Sequence, residues 1–198
     1  MGSTRSIVRT GFVALLLLVS IIGAAPGLAS AQEAVEAYIY QAGDYNQGTI
    51  QQQASASWAQ IYQLGSDNEA FIYQSGDYNW ALQFQAGSAN RAWAGIAGSS
   101  NSVLQNQLGD GNVLLAWQSG SNNVLIQNQI GSDNVAAAWI TGSSNSVTQT
   151  QLGTAHVSRV AVFGTSNSVH HIQLGYNSVL ELTHIGDNAT ISAVRFGY

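Results

Sequence analysis

The sequence predicts an all-β chain, a two-sheet β-solenoid of about seven 22-residue strand-turn-strand repeats, each made of two 11-residue half-repeats. Three observations lead there. Stepping in elevens from Gly43 gives Ala54 and then Gly65, Gly76, Gly87, Gly98, Gly109, Gly120, Gly131, Gly142, Gly153, Gly164, Gly175, Gly186 and Gly197, fourteen glycines in fifteen positions without an insertion. Two residues before these positions stand Gln41, Gln52, Gln63, Gln74, Gln85, Gln107, Gln118, Gln129, Gln151 and Gln173. Three residues after them stand Asn46, Asn68, Asn79, Asn90, Asn101, Asn112, Asn123, Asn134, Asn145 and Asn167. A period this strict marks stacked repeats before any local propensity is weighed.

The first segment reads as a secretory signal peptide. Arg5 and Arg9 precede the apolar run from Gly11 to Ala25, a break at Pro26 and Gly27, and the small residues Ala29 and Ala31, which place cleavage before Gln32. A retained membrane anchor is the alternative, because residues 11–31 carry no charge and are nominally long enough to span. The strongly apolar core is short, however, and the helix breakers sit where a cleavage region needs them. The domain reading is thus a signal peptide over 1–31 and a repeat domain over 32–198. Without the leader, three arginines face ten carboxylates, a net charge of −7 that disfavours nucleic acid and anionic membranes as partners. With no cysteine and no lysine, thiol chemistry, a Cys-based metal site and a catalytic lysine are all excluded.

Each half-repeat then reads as one strand and one turn. Five residues separate an Asn from the next Gln, too few for a helix and suited to a strand bounded by turns. Gly supplies the positive φ of each turn, and Asp or Asn is tolerated beside it. All six aspartates, Asp44, Asp67, Asp77, Asp110, Asp133 and Asp187, fall in turns. Because strand side chains alternate, residues sharing parity with the repeat Gln and Asn face one way, and they are small, aliphatic or amide. Opposite parity collects all five tryptophans together with Glu69, Arg91, Arg159 and Glu181, so the aliphatic and amide side is expected to be the interior. That interior is thin, two sheets about 10 Å apart, with little room for rings.

A buried amide is costly unless paired. Where each coil repeats the same amide, side chains can bond along the axis, and the repeat Gln and Asn residues are expected to form such an inward amide ladder. On the outer side, Trp58 with Trp80 and Trp117 with Trp139 are one 22-residue register apart, and each pair is expected to stack in a surface aromatic ladder. A metal site is not expected, because the inward His171 and His184 are thirteen residues apart, off register, with His156 in an Asn position and His170 facing out. Calcium binding of the β-roll kind lacks its paired glycine pattern. Catalysis is not expected either, since the strand carboxylates Glu36, Glu69 and Glu181 are far apart in coil number. No cofactor is implied.

The stretch from Ser57 to Gln74, SWAQIYQLGSDNEAFIYQ, resembles the curlin repeat of bacterial curli fibres, Ser-x5-Gln-x-Gly-x2-Asn-x-Ala-x3-Gln, at Ser57, Gln63, Gly65, Asn68, Ala70 and Gln74. The segment from Gln74 to Asn90 is similar to the minor, nucleator-type subunit. Later repeats depart from the pattern, with Asn101, Asn123, Asn145 and Asn167 for Ser, and Ile96, Ile140, Val162 or His184 for the closing Gln. The resemblance implies a non-enzymatic subunit exported through the periplasm, with a periplasmic chaperone and an outer-membrane secretion pore as partners. It further implies self-assembly, together with a related curlin subunit, into extracellular amyloid fibres for adhesion and biofilm matrix. Polymerising curlins carry a long Gly- and Asn-rich leader after the signal peptide, whereas here Gln32 leads almost at once into strand residues. Two other readings stand beside this one: a nucleator at the cell surface, and a monomeric β-solenoid adhesin that binds carbohydrate through its aromatic face. The residues themselves supply one independent pointer, for a stack of strands ends in open edges, and open edges recruit further strands.

Overall fold

The computed structural model describes residues 18–21 and 35–198. Sixteen strands run β1 (Leu18–Ile21), β2 (Glu36–Ala42), β3 (Gln47–Gln53), β4 (Trp58–Ser66), β5 (Glu69–Ser75), β6 (Trp80–Ser88), β7 (Arg91–Ser99), β8 (Ser102–Asp110), β9 (Val113–Ser121), β10 (Val124–Ser132), β11 (Val135–Ser143), β12 (Ser146–Thr154), β13 (Val157–Thr165), β14 (Ser168–Tyr176), β15 (Val179–Ile185) and β16 (Thr190–Phe196). Even-numbered strands form one parallel sheet ordered β2 to β16, and odd-numbered strands form the other, ordered β1 to β15. Neighbours in a sheet are offset by one 22-residue coil, as in Trp58 against Trp80 and Gln63 against Gln85. The chain is therefore a β-solenoid of about seven coils, and among the described residues there is no helix.

Alternation decides the inside. Along β10, Leu125, Gln127 and Gln129 are buried while Val124 and Ile130 are exposed. The aliphatic core runs from Ala37 to Val169 and is built of Ala, Val, Ile and Leu. Side chains of this size fit between two closely spaced sheets, and the aromatic rings lie on the outer faces.

The glycine corners from Gly43 to Gly186 hold two left-handed residues each, where the sequence accounts for one; the Ala54 corner holds only Ala56. The repeat glycine is one, as in Gly120 (φ 116°); the residue two positions later is the other. That second place is taken by Tyr45, Ala56, Asp67, Ala89, Ser100 or Asn122, at φ between 48° and 57°, and not by the repeat Asn. A β-carbon there is strained, but the stacked turns bond to one another: Ala89 N donates to Ser66 O at 3.0 Å and Asn122 N to Ser99 O at 3.1 Å. Repetition of the same turn above and below holds the conformation. At Gly120 no side chain is possible, because a β-carbon would run into the carbonyl of Gly142 in the next coil.

The leader reading lies largely outside the described residues. Its Leu18–Ile21 portion, β1, pairs in parallel with β3. Arg5, Arg9, Pro26 and the expected cleavage site before Gln32 are not among the described residues.

Candidate functional site

Four amide columns run along the solenoid axis. In the even sheet, Gln41, Gln63, Gln85, Gln107, Gln129, Gln151 and Gln173 occupy one slot, and each Nε2 from Gln41 to Gln151 donates to the Oε1 22 residues on, at 2.5 to 3.0 Å. From Gln63 onward, each Nε2 also donates to the backbone carbonyl sixteen residues back, as Gln107 does to Arg91 at 3.0 Å. The two hydrogens of one amide thus tie two sheets and two coils together. All seven are buried.

The Asn residues form a column at each corner, with opposite polarity. Asn46, Asn68, Asn90, Asn112 and Asn134 line one corner, and Asn79, Asn101, Asn123, Asn145 and Asn167 the other. After the first residue of each column, each Nδ2 donates to the preceding coil's Oδ1, for example Asn123 to Asn101 at 3.1 Å. It also donates to the turn glycine carbonyl nineteen residues on, Asn123 to Gly142 at 2.9 Å. The Asn is a corner clamp on the glycine turn.

The remaining column is one that the eleven-residue beat does not reveal. Gln83, Gln105, Gln127 and Gln149 bond in series at 2.7 to 2.9 Å, two residues before the main Gln column. Only every second half-repeat carries this Gln, so the signal is a 22-residue period. The column ends at His171, whose Nδ1 faces Ser158 Oγ at 3.1 Å. Burial pushes His171 down to about 4, favouring the neutral ring. His156, in the slot of a corner Asn, is buried and bonds Ser178 Oγ at 2.9 Å through Nδ1.

The odd sheet departs from the expected ladder. Gln52 bonds Gln74 at 2.7 Å, but the slot then passes to Ile96, Gln118, Ile140, Val162 and His184. Gln118 therefore has no amide neighbour in its slot, and its Nε2 donates only to Ser102 O at 3.2 Å. The buried Oε1 atoms without a partner are those of Gln41, Gln52, Gln83 and Gln118. Each is the first Gln of its run, where the donor would have to come from the coil before.

The outer aromatic ladder is also rearranged. Trp58 stacks on Trp80 with centroids 5.1 Å apart and planes 9° apart. Trp117 and Trp139 are partners in backbone register, yet the Trp117 ring stacks on Trp93, at 5.8 Å and 8°, and Trp93 in turn on Phe71 at 6.3 Å. The cause is Gly95, the register partner of Trp117: its missing side chain leaves the place over which the Trp117 ring leans back toward Trp93. Trp139 is left 44% exposed at the rim of an apolar cleft that Trp93, Leu115, Trp117 and Ala138 also line.

Charge is confined to the surface. Glu69 pairs with Arg91 at 3.5 Å and Glu181 with Arg159, both across neighbouring odd strands. At the corners the Ser88 hydroxyl and amide donate to Asp110, holding its carboxyl below the ordinary range, and Thr165 does the same for Asp187. Among the described residues no group of three or more His, Asp or Glu side chains is placed to hold a metal ion. What the site offers is a set of aligned donors and acceptors that repeats every coil and stops at two ends.

These features define a class: a parallel β-solenoid whose single chain stacks like a cross-β fibre, with amide columns along the axis. Within that class, residues 65–93 match the family model of the curlin-associated repeat. The match spans β5 and β6 with the corners around them, including the bonded Asn68 and Asn90 and the first Gln of the inner column. Neither curated proteins nor solved structures gave a match.

Proposed function

We propose that the chain is a secreted structural subunit of extracellular curli-like fibres, growing by templated edge-to-edge addition of strands, and that residues 1–31 are its cleaved leader. The observation that carries this reading is the incomplete burial of the last coil, β15 and β16. In β15 and β16 the inward residues Leu182, His184 and Ile191 are only half-buried, whereas their equivalents one coil back, Val160, Val162 and Val169, are buried. Open backbone edges and an uncovered interior favour another coil of the same kind. Through the family resemblance the reading extends to a periplasmic chaperone, an outer-membrane pore, a related curlin partner, and a role in adhesion and biofilm matrix. Purified residues 32–198, released from denaturant, are expected to give thioflavin-positive fibres with a reflection near about 4.8 Å and a lag shortened by seeds. A stable, seed-insensitive monomer would sink the proposal.

The stacked outer aromatics favour a second reading, a solenoid adhesin that binds carbohydrate on the face bearing Trp93, Trp117 and Trp139. In that case the monomer itself would bind polysaccharide, and loss of Trp117 would weaken binding without affecting assembly.

A further inference from the structure

The number of strands sets the geometry of a junction between copies. The described residues 35–198 form a unit of fifteen strands, eight in the even sheet and seven in the odd one. If copies stacked without rotation, β16 would meet β2 of the next copy, and a gap one strand wide would remain between β15 and the next copy's β3. That gap would expose the inward side chains of both strands, Leu180 and Leu182 on one side and Ile50 on the other.

We propose that successive copies are turned by half a turn about the fibre axis, so that the eleven-residue beat continues across the junction. β2 of the next copy then pairs with β15, and its β3 pairs with β16, and no strand is missing from either sheet. This inference rests on the fibre reading above and adds to it the partner strands and their register.

Complementary ends support the junction. Every Gln column runs from Nε2 to the Oε1 of the following coil, so the N-terminal end presents acceptors: Oε1 of Gln41 and of Gln52 are buried and unpartnered. At the C-terminal end the same two slots hold His184 and Arg195. Arg195 Nη1 donates to Val179 O at 2.6 Å, the carbonyl sixteen residues back that each Gln of the column from Gln63 onward also bonds. It therefore stands in the slot as a Gln would, yet a guanidinium has only donors. Such a residue can end the column only on the side that needs a donor, and in the half-turn junction it faces the Gln52 Oε1 of the next copy, with His184 facing Gln41. The apolar positions also match, Ala193 against Ile50 and Leu182 against Ile39. An unrotated stack would satisfy Arg195 equally well, through Gln41, so the strand count selects the half-turn. In the full chain β1 lies along β3, on the edge that β16 would take, so removal of the leader frees this junction.

The test uses residues 32–198, which contain every buried core residue among the described residues. The chain has no cysteine. In the half-turn junction the outward Val194 lies beside Gln51 of the next copy; in the unrotated stack it lies beside Tyr40. Neighbouring Cα atoms about 4.8 Å apart accept a disulfide. The pair Val194→Cys with Gln51→Cys, assembled reduced and then oxidised, is expected to give covalent multimers in denaturant, and Val194→Cys with Tyr40→Cys only monomer. Cross-linking of the second pair, of both pairs or of neither would overturn the half-turn while leaving the fibre reading intact. Failure of the unmodified chain to assemble would overturn both. Arg195→Leu should slow seeded elongation about tenfold and Arg195→Gln should not; equal rates for all three would overturn the donor role.

Discussion

At the scale of single residues, the cost of an interior amide depends on its neighbours along the axis. Gln107 lies mid-column: it accepts from Gln85, donates to Gln129 and bonds Arg91 O. Leucine there would leave Gln85 Nε2 one partner short and Gln129 Oε1 with none, at about 1–3 kcal/mol for each buried group left unpaired. Gln118 has the opposite surroundings, between Ile96 and Ile140 with an unpartnered Oε1. Gln107→Leu is expected to lower the urea midpoint markedly, and Gln118→Leu to leave it unchanged or raise it. Equal losses would show that the columns do not determine stability. Both residues look alike in sequence, each two before a repeat glycine. The eleven-residue beat gives the slot; whether the slot is a column depends on what stands 22 residues away on either side. For the same reason Gln83, Gln105, Gln127 and Gln149 escape a search at the shorter period, although the longer one finds them.

At the scale of the element, strands and corners were legible because one period fixes both, and parity alone separates the buried Leu125 from the exposed Val124. The second left-handed corner residue was not, because Ala89 or Tyr45 adopts that conformation only under the constraint of the turns stacked against it. Ring positions were not legible either, since Gly95 acts on Trp117 from the next strand. The C-terminal coils carry a further consequence of substitution in a column. His171 continues the Gln83 column and is buried beside Ser158, with Nε2 unpartnered. Its folded value of about 4 lies below the ordinary 6.5, so the unfolded chain binds the extra proton between those limits. The stabilising contribution is complete above about 6.5 and is lost as pH falls toward about 4. His171→Gln, which offers Gln149 an amide partner in the same slot, is expected to flatten the pH dependence of the urea midpoint across that window. An unchanged slope would place the acid sensitivity elsewhere.

At the scale of the whole molecule, the two kinds of ladder divide the work by direction. Amide columns and backbone bonds run along the axis, so they govern growth at the ends; aromatic stacks lie on the outer faces, so they can govern only contacts from the side. The paired Glu69, Arg91, Arg159 and Glu181 reinforce this division, being few and outward, which leaves the sides with little charge to keep neighbouring solenoids apart. The apolar strip formed by Phe71, Trp93 and Trp117, with Trp139 at its rim, is thus the surface most suited to lateral packing. Because Trp117 stacks on Trp93 and not on Trp139, the decisive pair to change is Trp93→Ser with Trp117→Ser. Neither ring touches an amide column, so seeded elongation should proceed at the unmodified rate, while electron micrographs should show single filaments where the unmodified chain gives bundles. Arrested elongation with this pair would mean that the outer stack supports the coils themselves, and unchanged bundling would move the lateral contact to another face.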